Sequence, residues 1–332
     1  MPPGNTRLNT YSESEQAMAE LSYIRQYFTD NADTWVAGAY VQDDVTAKYP
    51  LGNERVSLAL SAVVERLGQP RGHLLDLGCG GGQLCFEAAR AGMQATGIDI
   101  ADGMVDLCRQ SARQLPQEQR HLVDFQVGDV VNTGLDAGQY DAVAALGLIE
   151  YVPEDAAFLN EAYRLLRPGG VLVVTCRNRL FNLFSQNDYT QRELNNGAAA
   201  GLLDEIRDII ACDVTPDTLH GLLRGIKAAL PDLEEAVKRD ITLRNDESSS
   251  SRQGFAQELR QHTPEEIVAT GERAGFINPG FVSVHPHPLP PAYERIAPHF
   301  FNTLARTFTI FADKPAGLLW SSCFQVTFTK PE

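Results

Sequence analysis

One stretch, HLLDLGCGGGQL from His73 to Leu84, constrains this chain more than any other. A short apolar run meets an acid, Asp76, and then breaks into glycines at Gly78, Gly80, Gly81 and Gly82 before a helix-like pattern begins. A strand that turns on glycines directly into a helix presents backbone, not side chains, at the carboxyl edge of a sheet, where ligands of doubly wound folds bind. The neighbouring sequence keeps that rhythm. The runs QATGIDI, VDFQVGDV, YDAVAALG and GVLVVTC alternate with QLCFEAARAG, ADGMVDLCRQSARQL and EDAAFLNEAYRLLRPGG, whose apolar residues recur at helical spacing. Strand–helix alternation of this kind calls for a parallel sheet with helices on both faces.

Beyond residue 176 the rhythm changes. Residues 177–261 carry helix-like patterns (AAAGLLDEIRDIIA, TPDTLHGLLRGIKAAL) and one polar, low-complexity piece, Asp246 to Gly254, which reads as a surface loop. At HTPEEIVATGERAGF, Thr263 is an N-cap, Pro264 the first helical residue and Glu266 the partner of a capping box. Two more strands follow in GFVSVHPH and SSCFQVTFTK, joined by a proline-rich, aromatic connector, giving about seven strands. The chain therefore divides into an N-terminal helical lid segment (1–70), a Rossmann-like core (71–176), a helical cap insertion (177–261) and the rest of the core (262–332).

The glycine spacing separates two cofactor classes. Gly78, Gly80 and Gly82 satisfy G-x-G-x-G, whereas the dinucleotide fingerprint needs a glycine where Gln83 stands. Asp76 beside this turn would repel a pyrophosphate and attract the cationic end of an amino acid. Asp99 closes the second strand, positioned to accept from ribose hydroxyls. Asp129 closes the third, positioned for an exocyclic amine, with Ile100 and Met104 as apolar faces for a base.

The motifs LLDLGCGGG, GIDIADGMV, VGDV, YDAVAALGLIEYVP and LRPGGVLVVT, in this order, resemble those of the class I S-adenosylmethionine-dependent methyltransferases, especially their small-molecule members. The resemblance implies a Rossmann-like, doubly wound, seven-stranded sheet with an antiparallel last strand. It also implies S-adenosylmethionine as cofactor: Asp76, Gly78 and Gly80 on its methionine part, Asp99 on the ribose, Asp129 and Val130 on the adenine, and Leu146 near the sulfonium. Cys79, Gly82, Ile100, Met104 and Gly128 complete the expected site.

Methyl transfer asks the protein chiefly to align acceptor and methyl, with a general base only where the acceptor must lose a proton. Glu150 and Tyr151, after the fourth strand, and His285 and His287, on one face of the sixth strand's end, are the candidate catalytic residues. Trp35 and Tyr40 are candidate lid residues, and Arg177, Arg179 and Tyr189 candidate acceptor contacts. The expected activity is transfer of a methyl group to oxygen or nitrogen of a small metabolite such as a secondary metabolite, sugar or quinone-like ring. The alternatives are a nicotinamide-dependent oxidoreductase, opposed by Gln83 and Asp76, and a non-catalytic S-adenosylmethionine-binding regulator.

Composition trims the remaining possibilities. With 28 basic against 43 acidic residues and a net charge of -15, a nucleic-acid surface is not expected. The six cysteines form no C-x-x-C pair, so no metal site is expected, and neither a secretory leader nor a membrane span is read in the sequence. The expected setting is cytoplasmic, without membrane partners.

Overall fold

The computed structural model describes residues 13–40, 48–210, 214–244 and 259–332; the loop expected at Asp246 to Gly254 lies outside them. In chain order the elements are α1 (Glu13–Asp30), α2 (Ala32–Ala39), α3 (Leu51–Leu67), β1 (His73–Leu77), α4 (Gln83–Arg90), β2 (Gln94–Asp99), α5 (Asp102–Ala112), α6 (Gln117–Arg120), β3 (Val123–Val127) and β4 (Tyr140–Leu146). There follow α7 (Asp155–Leu165), β5 (Leu166–Arg177), α8 (Asn182–Ser185), α9 (Asp188–Asn195), α10 (Ala199–Ile210), α11 (Pro216–Arg244), α12 (Pro264–Arg273), β6 (Ile277–Val284), α13 (Ala292–Ile296), α14 (Pro298–Phe308) and β7 (Cys323–Thr329).

The seven strands form one sheet in the order β3-β2-β1-β4-β5-β7-β6. Pairing from β3 through β5 is parallel, and β7 lies antiparallel between β5 and β6. The expected fold is therefore present, with all seven strand segments where the sequence reads them. Alternation along the strands supplies both cores. Leu75, Leu77, Val143, Ala145, Leu172 and Val174 point to the side covered by α7 and α12. Leu74, Ala95, Ala142, Ala144, Val171 and Val173 point to the side covered by α3, α4 and α5.

Three elements differ from the sequence reading. Within the expected lid, α3 packs Val56, Ala59 and Val63 onto the sheet, so residues 51–67 are a layer of the core rather than part of a cover. The proline-rich connector contains α14, which begins without a side-chain cap from its own N-cap residue, Ala297. Asp240 supplies that cap from α11, accepting from the backbone N–H of His299 at 3.0 Å and of Phe300 at 2.9 Å. A cap delivered from another helix leaves no local signature. Finally, α11 runs straight through Pro231, which costs one backbone bond but does not end the helix. The capping box at Thr263 forms as read, with Glu266 N–H donating to Thr263 Oγ1 and Thr263 N–H to the Glu266 carboxylate.

Candidate functional site

The glycine turn is built from positive-φ backbone. Gly78, Gly80 and Gly82 have φ of 69°, 49° and 76°, a region where a Cβ is strained. A Cβ at Gly78 would also come within 2.7 Å of Leu148 Cδ1. The turn is pinned to β2: Gly78 and Cys79 both donate to the Ile98 carbonyl, at 2.8 and 2.9 Å.

Asp99 sits at the centre of this arrangement. Its carboxylate accepts from Gly80 N–H and Ala101 N–H, each at 2.9 Å, which ties the glycine turn to the end of β2. Burial raises the Asp99 carboxyl above its ordinary range, and these backbone donors oppose the rise. Two accepted bonds leave lone pairs for further donors. Asp76 is buried more completely, and its Oδ1 has no hydrogen-bond partner. Burial, and then the neighbouring Asp99 charge, push its carboxyl well above the usual range. A buried carboxylate without a partner is costly unless something cationic or protonated meets it.

A crevice opens above these residues. Its floor and walls include Gly78, Gly80, Asp99, Ile100, Met104, Asp129, Val130 and Leu146, eight of the twelve residues expected to hold a cofactor. The other four do not line it. Asp76 lies below the turn, Gly82 starts α4, Cys79 faces Cys108, and Gly128 closes on Ile98. Asp129 Oδ1 takes the Val131 N–H at 3.0 Å, fixing the chain after β3.

Helices α1 and α2 roof the crevice with Leu21, Ile24, Phe28 and Trp35. Trp35 reaches the glycine turn itself, where a Cβ on Gly80 would be 3.3 Å from its ring, and Val36 rests against Gly81. Gly103 makes this approach possible: a Cβ there would fall 2.4 Å from the Thr29 carbonyl oxygen. An ion pair, Arg25 to Asp102 at 2.6 Å, joins the same two helices, α1 and α5. Tyr40 does not line the crevice; it is half-buried with its ring against Gly52 of α3, and desolvation, then the Asp76 charge, raise its phenol.

Of the four candidate catalytic residues, Tyr151 alone lines the crevice, edge-on to Phe28 with ring centroids 5.5 Å apart. Burial and the adjacent Glu150 push its phenol up to about 12, which keeps it protonated. Glu150 stands just behind Gly147, a crevice residue: a Cβ on Gly147 would be 3.7 Å from Glu150 Oε1 and 2.9 Å from Arg55 Nη1. Glu150 Oε1 pairs with Arg177 Nε at 3.4 Å, while its buried Oε2 has no hydrogen-bond partner. Arg55, on the first turn of α3, donates to Cys323 Sγ at 3.3 Å.

His285 and His287 are not at the crevice. They form an aromatic cluster at the end of β6, with His285 stacked on Tyr49 (centroids 3.5 Å apart) and His287 against Phe181 and Phe301. His285 has φ 53°, and its buried Nε2 has no hydrogen-bond partner. Burial, helped by His287 and Arg306, drives the His285 imidazole down to about 2. Burial lowers His287 as well, against the pull of its bond to the Leu289 carbonyl. Glu54 accepts from the Tyr49 hydroxyl and the His285 backbone, burial raises its carboxyl, and its Oε2 is unpartnered.

Arg179 and Tyr189 are engaged elsewhere. Arg179 forks onto Glu193 and reaches Glu266, and Tyr189 lies beneath Arg192. Arg179 ties the chain after β5 to α9 and α12, the Tyr189 contact stays within α9, and neither residue lines the crevice. Sequence reasoning missed Tyr49, Glu54 and Arg55, because the apolar period of α3 shows a helix and says nothing of where its polar residues, or the residues just before it, point. Among the described residues no cluster of His, Cys, Asp or Glu has the arrangement of a metal site, and Cys79, Cys85, Cys108, Cys176 and Cys323 are buried free thiols.

Comparison with known proteins agrees with this geometry. Residues 75–174 match the family model described as a methyltransferase domain. Over 121 residues the chain is 36% identical to a ubiquinone biosynthesis O-methyltransferase of Xanthomonas campestris pv. campestris, covering 36% of this chain and 49% of the relative. Over 112 residues it is 31% identical to the protein of the same name from Coxiella burnetii, covering 34% and 46%. The chain thus spans about half the length of the curated relatives it matches. Two solved structures share the fold across nearly the whole chain. The [4+2]-cyclase SpnF has a TM-score of 0.51 and 20% identity, covering 93% of this chain and 95% of that one. A putative methyltransferase in complex with the Haloferax volcanii Trm112 methyltransferase activator has a TM-score of 0.51 and 15% identity, covering 93% and 98%. Residues 75–174 thus resemble a methyltransferase domain, and the seven-stranded fold is the one these two solved structures share.

Proposed function

We propose that this protein transfers a methyl group from S-adenosylmethionine to a hydroxyl or amine of a small metabolite. The observation that carries the reading is Asp76, a buried carboxylate with an unpartnered oxygen beside the glycine turn. The ammonium of the cofactor's amino-acid end fits that need, and a pyrophosphate does not. Asp99 would take the ribose hydroxyls on its remaining lone pairs, and Asp129 with Val130 would meet the adenine edge, between the apolar walls of Ile100 and Met104. When bound, the cofactor supplies a methyl group already activated on a sulfonium.

The chain's own work is alignment, exclusion of water and handling of one proton. Phe28 and Trp35 close the crevice from above. Glu150 is the base of this reading: its Oε1 stands beside Gly147 and pairs with Arg177, and its buried Oε2 has no hydrogen-bond partner. Tyr151, held protonated, donates a hydrogen bond. Burial keeps His285 neutral near neutral pH, and it stands in the aromatic cluster outside the crevice, so it takes no part in this transfer. The relatives named as O-methyltransferases support oxygen as the acceptor atom.

SpnF is named as a cyclase, so the fold does not by itself choose the reaction. Incubation with methyl-labelled S-adenosylmethionine and a panel of phenols, hydroxy acids and amines tests it. Label transferred to a hydroxyl is the expected result; tight cofactor binding with no transfer to any acceptor would leave only the binding half of the reading.

A further inference from the structure

Helix α11 carries an apolar stripe that nothing in the described chain covers. Its inner face packs on α14 through the buried Leu233 and Ala236, and Asp240 caps that helix. Turned from this face by roughly a quarter of the circumference, Leu219, Leu223, Leu230, Val237 and Ile241 are each between 41% and 58% exposed. At 3.6 residues per turn these five positions fall within an arc of about 40° and extend over roughly 33 Å. Apolar patches of this extent on a surface mark an interface.

The stripe is symmetric about Leu230. Leu223 and Val237 stand seven residues to either side, and Leu219 and Ile241 eleven. A two-fold axis through Leu230 therefore lays the stripe of a second copy on this one, leucine on leucine at the centre. The charges follow the same symmetry. Lys227 and Glu234 share the solvent flank of the stripe, three residues before and four after its centre, and neither forms an ion pair within the described residues. In an antiparallel pair Lys227 meets Glu234 of the second copy, twice. On the other flank Val237, Asp240, Ile241, Ile296, Ala297 and Phe300 line a groove beside the start of α14. Leu219 and Leu223 of the second copy fall against it.

We propose that two copies of this chain associate through α11, antiparallel and centred on Leu230, as an isologous dimer. A membrane surface fits the stripe less well, because helices lying on membranes flank their apolar face with Lys and Arg. Here Arg224, Lys227, Lys238 and Arg239 are interspersed with Asp217, Asp232, Glu234 and Glu235, a mixed-sign flank rather than a basic one, on a chain with net charge -15.

Sedimentation velocity of the full chain over a concentration series, with Leu230→Glu, tests the proposal. The wild type should sediment as a dimer and the variant as a monomer, with the circular dichroism spectrum unchanged because Leu230 is exposed on the monomer. Lys227→Glu should weaken the dimer about tenfold or more, and adding Glu234→Lys should restore it. Register is read by oxidation: Leu230→Cys should cross-link as a dimer, since that position faces itself, and Leu223→Cys, which faces Val237, should not. A monomeric wild type, a dimer that survives Leu230→Glu, or equal cross-linking of both cysteine variants would overturn the proposal. So would a monomer that binds phosphatidylglycerol vesicles and loses that binding with Leu230→Glu, which would assign the stripe to a lipid surface.

Discussion

The two ends of the sheet build their sites by different means. Around β1, β2 and β3 the crevice is made of consecutive pieces: a glycine turn, an acid at the end of the next strand, another at the end of the one after, each a few residues from the strand that positions it. Around β5, β7 and β6 the polar groups come from far apart in the chain, with Tyr49, Glu54 and Arg55 meeting Glu150, Arg177, His285 and Cys323. The first kind of site is fixed by local backbone and binds what the fold binds. The second is fixed by long-range packing and is free to vary with the acceptor.

Substitutions can break or sharpen that contrast. Asp99→Ala should have the largest effect, because it removes the acceptor of two backbone bonds along with the proposed ribose contact: cofactor affinity should fall on the order of 100-fold. An affinity within threefold of wild type, measured by calorimetry, would mean that the carboxyl end of β2 does not hold the cofactor. Glu150→Gln keeps shape and removes the proposed base, so turnover should drop about 100-fold while cofactor affinity stays within threefold. If both fell together, Glu150 would belong to the cofactor half after all.

Asp76→Asn should have the smallest effect on activity assays and an opposite effect on stability. Burial raises the Asp76 carboxyl above its unfolded value, so the stability linked to it is present at low pH and lost as pH rises through the raised value. At pH 8 the ligand-free variant should melt higher than the parent, by roughly 2 °C for each kcal/mol of relieved desolvation, with the gap closing as the pH falls into the carboxylate range. It should also bind the cofactor more weakly. A variant that melts lower at pH 8 would contradict the account of Asp76 as an unpartnered buried charge.

The same contrast explains what the sequence made readable. The strands, the glycine turn and the acids at the strand ends are local patterns, and eight of the expected cofactor residues line one crevice. The acceptor side was read less well. The His285 and His287 rings lie 5.1 Å apart, but the tertiary fold carries them to Tyr49, Phe181 and Phe301 instead of the crevice. Arg179 suits either a ligand contact or acids of its own segment, and Glu193 and Glu266 take it, partners that no spacing rule names. The α14 helix was hidden because its cap comes from Asp240. In each case the deciding partner lies far away in sequence.

The central claim is that the crevice above Asp76 and Asp99 is an S-adenosylmethionine site. Its most direct test is calorimetric titration of the protein with S-adenosylhomocysteine and, separately, with oxidised nicotinamide dinucleotide. One-to-one binding of the first with Kd on the order of micromolar, about -8 kcal/mol, and none of the second is the predicted result. Binding of the dinucleotide alone would contradict the account.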